Sequence, residues 1–147
     1  MTNKTQELHK KLTKAFNAQD EVEIRAVCAN NMEYVAPGGM TGKGVDAYVE
    51  FCRGWWTAFP DARVRTDRLH VTDDAFIEEG TFAGTHSGVL RTPMGDIPPT
   101  SKQVEGRYNS VFACTGDRIT SEHLVFDRMQ LMEQLGMVPA GAVPARR

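Results

Sequence analysis

Cysteine is scarce and scattered in this chain. Its 147 residues hold three, Cys28, Cys52 and Cys114, and no two stand closer than 24 positions. No CxxC pair therefore exists to chelate zinc or run thiol exchange. All three sit among apolar neighbours and are expected to be reduced core residues of a cytoplasmic protein. The four histidines (His9, His70, His86, His123) are equally dispersed, with neither HxH nor HExxH spacing, so no metal site is expected. Gly38-Gly39 and Gly42-x-Gly44 lack the lysine-serine context of a phosphate loop. No cofactor is expected. Excess charge of one sign is missing too. Seventeen basic residues against nineteen acidic ones leave a net charge of −2 and a pI near 6.1, whereas nucleic-acid modules tend to exceed a pI of ~9. The near-run Lys10, Lys11, Lys14 reads as the solvated face of a helix, and no nucleic-acid partner is expected. No apolar run approaches the ~18 residues of a membrane span. The opening residues Met1–Glu7 carry no apolar stretch of the secretory type.

What is present is enough apolar residue for one core. Hydrophobic side chains make up 41%, and a length near ~150 is the norm for a single domain. Residues 1–138 are expected to form that domain, with 139–147 a mobile tail that has little to bury. Asn3 stands three before Gln6, a capping-box spacing, and Leu8, Leu12, Ala15 and Phe16 follow on one helical face. Asp20 and Glu23 repeat the signal ahead of Val22, Ala26 and Ala29, and Asn30-Asn31 ends that helix. Residues 32–36 read as a short strand stopped by Pro37-Gly-Gly. A third helix begins near Gly44, with Val45, Tyr48, Cys52, Trp55 and Phe59 in phase, and Pro60 stops it.

From Asp61 the period changes to two. Residues 62–72 and 75–86 read as strands joined at Asp73-Asp74, and 88–101 as a loop. Residues 102–115 and 118–127 read as a second hairpin turning at Gly116-Asp117. A short helix from Arg128 to Leu135 ends at Gly136. Helices segregate from strands, so the class is α+β: a curved antiparallel sheet with helices on one face.

Four phrases stand in a telling order: Phe59-Pro60-Asp61, Gly84-Thr-His-Ser-Gly88, Pro98-Pro-Thr100, and Phe126-Asp127-Arg128-Met129 followed by Gln134-Leu-Gly136. Together they resemble the SnoaL-like polyketide cyclases of the nuclear transport factor 2 and ketosteroid-isomerase-like superfamily, over about residues 7–138. The resemblance implies a cone-shaped sheet wrapped around an apolar pocket, with the N-terminal helices packed on its concave face. It implies ring closure by intramolecular aldol condensation without metal or cofactor. It also implies an aspartate acid/base on the last strand, at the position of Asp127, and pairing of the chain as a homodimer or higher homo-oligomer. Isomerase, dehydratase and epoxide hydrolase activities are the neighbouring alternatives. A non-catalytic module that binds an apolar ligand, or dimerises through its sheet, is the rival of another class.

The residues themselves carry the chemistry as follows. By strand alternation Asp127 shares a face with Ile119, Ser121, His123 and Val125. A carboxylate on an apolar inner face has a raised pKa and can move a proton, but Asp127 is equally placed to cap the helix at Arg128. His123 lies four strand residues away, roughly 13 Å. It cannot form a direct dyad with Asp127, and is either a carbonyl-polarising group deeper in the pocket or a satisfied core or interface histidine. With Gly116-Asp117 as the turn, Ser110 faces His123 and Tyr108 faces Val125, placing Tyr108 diagonal to Asp127. A one-residue slip would turn Arg107 and Asn109 inward instead. His86 is a rim residue or ties down its loop. Tyr34, Trp55 and Trp56 line the cavity or pack the core; if they line it, they suit a flat polycyclic ligand. The substrate expected is an apolar small molecule.

Overall fold

The computed structural model describes residues 2–138, so the expected mobile tail lies outside the described residues. Capping and proline signals place the helices. Helix α1 spans Thr2–Ala18, and Asn3 falls inside it rather than ahead of it. Asp20 accepts the Glu23 N–H at 3.1 Å and starts α2 (Glu21–Val27). The buried face of α2 is Ile24 and Val27, not Val22, which is 80% exposed. Strand β1 (Cys28–Ala36) starts earlier than expected and takes in Asn30-Asn31; β2 is Met40–Lys43. Helix α3 (Val45–Ala58) has Gly44 as its N-cap at φ 96°, a conformation that costs other residues dearly. Phe59 caps its end immediately before Pro60.

Two long hairpins supply most of the sheet. Strands β3 (Arg63–Val71) and β4 (Ala75–Thr85) form the first. Within 88–101, expected to be a loop, Leu90–Thr92 (β5) and Gly95–Ile97 (β6) form a small hairpin of their own. Its buried Leu90 and Ile97 anchor it to the core. Strands β7 (Gln103–Thr115) and β8 (Arg118–Phe126) turn at Gly116-Asp117, with Thr115 opposite Arg118 as expected and Gly116 at φ 63°. Helix α4 (Arg128–Gln134) closes the fold. The sheet runs β2-β1-β8-β7-β4-β3. Every neighbouring pair in it is antiparallel except β1 with β8, which are parallel. This is the expected α+β class: a curved sheet whose concave face holds the helices and the core. Phe76 and Phe112 stack there at 4.5 Å, and Phe59, Ile24 and Met32 are fully buried.

One irregularity decides which side chains enter the cone. Cys114 pairs with Ile119 but Ala113 pairs with Ser121, so Thr120 is an extra residue on β8. Such a bulge shifts the alternation by one. Beyond it Glu122, Leu124 and Phe126 face inward, while His123 and Val125 stand exposed on the convex face. The expected inner row of Ser121, His123, Val125 and Asp127 is thereby corrected. Tyr108 faces Phe126 and Ser110 faces Leu124, each one residue from expectation. On β7, where the alternation is unbroken, Tyr108, Ser110 and Phe112 do point inward, and Arg107 and Asn109 are exposed.

Candidate active site

The cone holds a mainly apolar cavity of about 120 Å³, open at one rim, between α1, α3, β4, β7, β8 and α4. Two carboxylates stand on its wall, Glu122 (7% exposed) from β8 and Glu78 (4%) from β4. Ionised groups of this kind are expensive to bury unless hydrogen-bonded, and both are. The Tyr48 hydroxyl donates to Glu122 Oε1 at 2.7 Å, and the Ser110 hydroxyl donates to Oε2 at 2.6 Å. The Thr66 hydroxyl donates to Glu78 Oε2 at 2.6 Å, and His9 Nε2 lies 3.4 Å from the same oxygen. Thr13 and Thr66 share that histidine nitrogen at 3.3 and 3.1 Å.

Burial pushes the Glu122 carboxyl above its ordinary range; the hydroxyls of Ser110 and Tyr48 pull it back, and the nearby Glu78 charge adds to the rise. Desolvation first and the Glu122 charge second hold the Tyr48 phenol well above its usual value. Burial, followed by the Glu78 charge, does the same to Tyr108. Glycine at position 80 makes room for the Tyr108 ring: a Cβ there would meet its Cζ at 2.5 Å. The thiols are inert as nucleophiles. Burial pushes Cys28 up to about 12 and Cys114 up to about 11. No group of three or more His, Cys, Asp or Glu side chains suited to a metal ion occurs among the described residues.

The residues singled out in the sequence divide sharply. Tyr108 and Trp55 line the cavity, and Ser110 stands behind Glu122 as its hydrogen-bond donor. Asp127 reaches only the cavity rim; it is exposed, and its carboxylate accepts the Gln130 N–H at 3.0 Å as the N-cap of α4. His123 faces away, beside Val35 and Val111. His86 is fully buried at the corner joining β4 to β7, where its Nδ1 accepts the Thr100 N–H at 3.2 Å, and burial lowers its pKa. Trp56 packs on Phe16 with ring centroids 5.6 Å apart. Tyr34 stacks on Phe51 at 4.3 Å and lines a separate outer groove.

Sequence reasoning missed Glu122, Glu78, His9 and Tyr48. Glu78 carries a visible signal, as the only charge in the alternating run Phe76-x-Glu78-x-Gly80-x-Phe82. Glu122 could be found only by placing the bulge, and Thr120 carries no glycine or proline mark.

A model of the SnoaL-like polyketide cyclase family matches residues 6–135. A search of curated proteins finds no match. Among solved structures, a candidate SnoaL-like polyketide cyclase from Jannaschia sp. CCS1 superposes with a TM-score of 0.82 at 16% identity, over 94% of this chain and 95% of that one. TsrD from Streptomyces laurentii gives 0.80 at 20% identity, over 94% and 98%. A LEH-like epoxide hydrolase of M. tuberculosis gives 0.71 at 18%, over 91% and 86%. At such identities these likenesses show a shared fold.

Proposed function

The chain belongs to the SnoaL-like polyketide cyclase family, and from that premise we propose that it is an enzyme whose own side chains move a proton at a carbon acid, with Glu122 as the acid/base. The observation that carries this reading is the Glu122 carboxylate, buried on the wall of an apolar cavity and held at both oxygens by Tyr48 and Ser110. Ionised Glu122 takes the proton from a carbon next to a carbonyl, leaving an enolate. The enolate carbon bonds to a second carbonyl carbon of the same molecule and closes the ring. The alkoxide so formed recovers the proton from the Glu122 carboxylic acid. A raised pKa suits both halves of the cycle, since an acid/base works best near the operating pH. Tyr108, beside Glu78 in the same cavity, is the group placed to steady the developing enolate oxygen.

Asp127 supplies the rim and the α4 cap in this reading: it is exposed, and its carboxylate accepts the Gln130 N–H. A double-bond isomerase would use the same proton transfer without the bond-forming step. A non-catalytic binding module would have no use for two desolvated carboxylates on its wall. The chain is further proposed to pair through its convex face, where Val35, Val111, Val125 and Ile77 are 42, 47, 63 and 38% exposed. Three buried free cysteines suit the reducing cytoplasm, and no described helix is long and apolar enough to cross a membrane.

The test is hydrogen–deuterium exchange at the acidic carbons of 2-indanone, followed by NMR in D₂O. Glu122→Gln is expected to lower the protein-catalysed rate by about 10²–10⁴-fold, and Asp127→Asn, which keeps the cap, to leave it within about twofold. The opposite pattern would return the acid/base role to Asp127.

A further inference from the structure

The cavity that holds Glu122 has room for one end of a molecule rather than for an extended polycyclic one. It measures about 120 Å³ and is open at its rim, where the exposed Arg107, Asp127 and Gln130 line it. Drug-sized ligands occupy pockets of roughly 300–1,000 Å³. A second concavity of about 1000 Å³ lies outside, between α3, the β5–β6 hairpin and the end of α4. The two are not independent. Phe51, Trp55, Phe126 and Leu131 line both, so one partition of three aromatic rings and a leucine lies between them. The hairpin's base is anchored by buried Leu90 and Ile97, while Val89 and Met94 at the groove are 40 and 88% exposed. Met137, on the opposite lip, is 50% exposed. Apolar surface gathered on both lips of a groove marks a binding surface more often than chance exposure.

We propose that groove and cavity are two compartments of one binding site, taking an elongated, mainly apolar substrate. A compact ketone head of one or two rings enters beside Glu122, and a larger body lies in the groove against Met94 and Val89. The partition formed by Trp55 and its three neighbours then sets how much of the molecule reaches the carboxylate. This inference rests on the reading of the inner cavity as the reacting compartment. It adds the substrate's shape: the body outside selects the molecule, and the head inside reacts.

The experiment measures binding rather than turnover, with two named probes on the full chain. 2-Indanone matches the cavity alone. 6-Propionyl-2-dimethylaminonaphthalene, an elongated fluorescent ketone, needs both compartments. The pair Val89→Glu and Met94→Glu, both at exposed positions, is expected to weaken the naphthyl ketone at least fivefold and to leave 2-indanone within twofold. An unchanged affinity for the naphthyl ketone overturns the proposal. So does groove-dependent binding of the naphthyl ketone by a protein that does not take up 2-indanone, since the compartments would then be separate. If the same substitutions, without ligand, shift the amide resonances of residues 139–147 or the sedimentation coefficient, the occupant is the chain's own end or a second copy, and the proposal again fails. Because both probes report binding, loss of the Glu122 mechanism in the exchange assay leaves this result interpretable by itself.

Discussion

Replacing Tyr48 by Phe removes one oxygen and asks whether Glu122 ionises inside the fold. The ring keeps its packing, with Tyr34 and Phe51 centroids each 6.2 Å away. What is lost is the 2.7 Å bond to Glu122 Oε1. A hydrogen bond to a charged acceptor is worth roughly 1.5–3 kcal/mol and one between neutral partners roughly 0.5–1.5. If Glu122 changes charge inside the fold, as the acid/base role requires, the substitution is expected to cost about 1–1.5 kcal/mol more at pH 9 than at pH 4.5. At roughly 2–4 °C per kcal/mol for a chain near this size, the fall in Tm deepens by about 2–6 °C. The sign follows from linkage. The folded pKa of Glu122 lies above its unfolded value, so the folded state binds the proton more tightly. Stability from this group is fullest below the ordinary carboxyl range and declines as pH rises through the folded pKa. Loss of the Tyr48 donor raises that pKa further, by about one unit for each ~1.4 kcal/mol of charged-state stabilisation removed.

Urea denaturation at the two pH values measures the cost, and a ¹³C titration of labelled Glu122 measures the pKa directly. In a Glu122→Gln background the pH dependence should vanish. Equal costs for Tyr48→Phe at pH 4.5 and pH 9 would mean that Glu122 does not change charge in the folded state over that range. The proton-transfer role would then be refuted along with the energetic reasoning.

Two further predictions concern the frame around the site. Asp127→Ala removes the cap of α4 and is expected to cost about 1 kcal/mol in chemical denaturation, whereas Asp127→Asn should cost a few tenths at most; equal losses would show that the Gln130 N–H bond is not the source. Val111→Lys together with Val125→Lys places charge on the convex face without touching the cavity. Sedimentation equilibrium is expected to show weaker self-association by at least tenfold, and an unchanged dimer would move the interface elsewhere.

Much of this fold is legible because local signals and long-range packing agree. The Asp20 cap, the Pro60 stop and the Gly116-Asp117 turn each act within a few residues, and each lands where expected. Counting alternation from that turn gives the correct inner face for β7, since nothing interrupts the strand. The same counting fails on β8 after one inserted residue, because period two has no memory beyond a bulge. That single slip exchanges His123 for Glu122 as the inward group. The role of His9 is illegible in the sequence because its partners, Thr66 and Glu78, lie 57 and 69 residues away, a separation that no local pattern spans. Asp127 is legible both as a cap and as a resemblance-based catalyst; the structure shows the cap, through the Gln130 N–H bond, and places the side chain at the cavity rim.

The parallel partnership of β1 and β8 carries a consequence for how the protein is made. Cys28 pairs with Ile119 across about 90 residues of sequence. At roughly 5–20 residues per second of synthesis, β1 waits on the order of 5–20 s before its partner leaves the ribosome. During that interval it has only the four-residue β2 beside it, and its other edge offers unpaired backbone groups to any passing strand. Closure of the cone is thus a late event, with long-range pairing setting the pace. The exposed pair Asn30 and Asn31, with Glu33 just beyond, gives this waiting edge polar and charged side chains, which disfavour pairing with a neighbouring chain until β8 arrives.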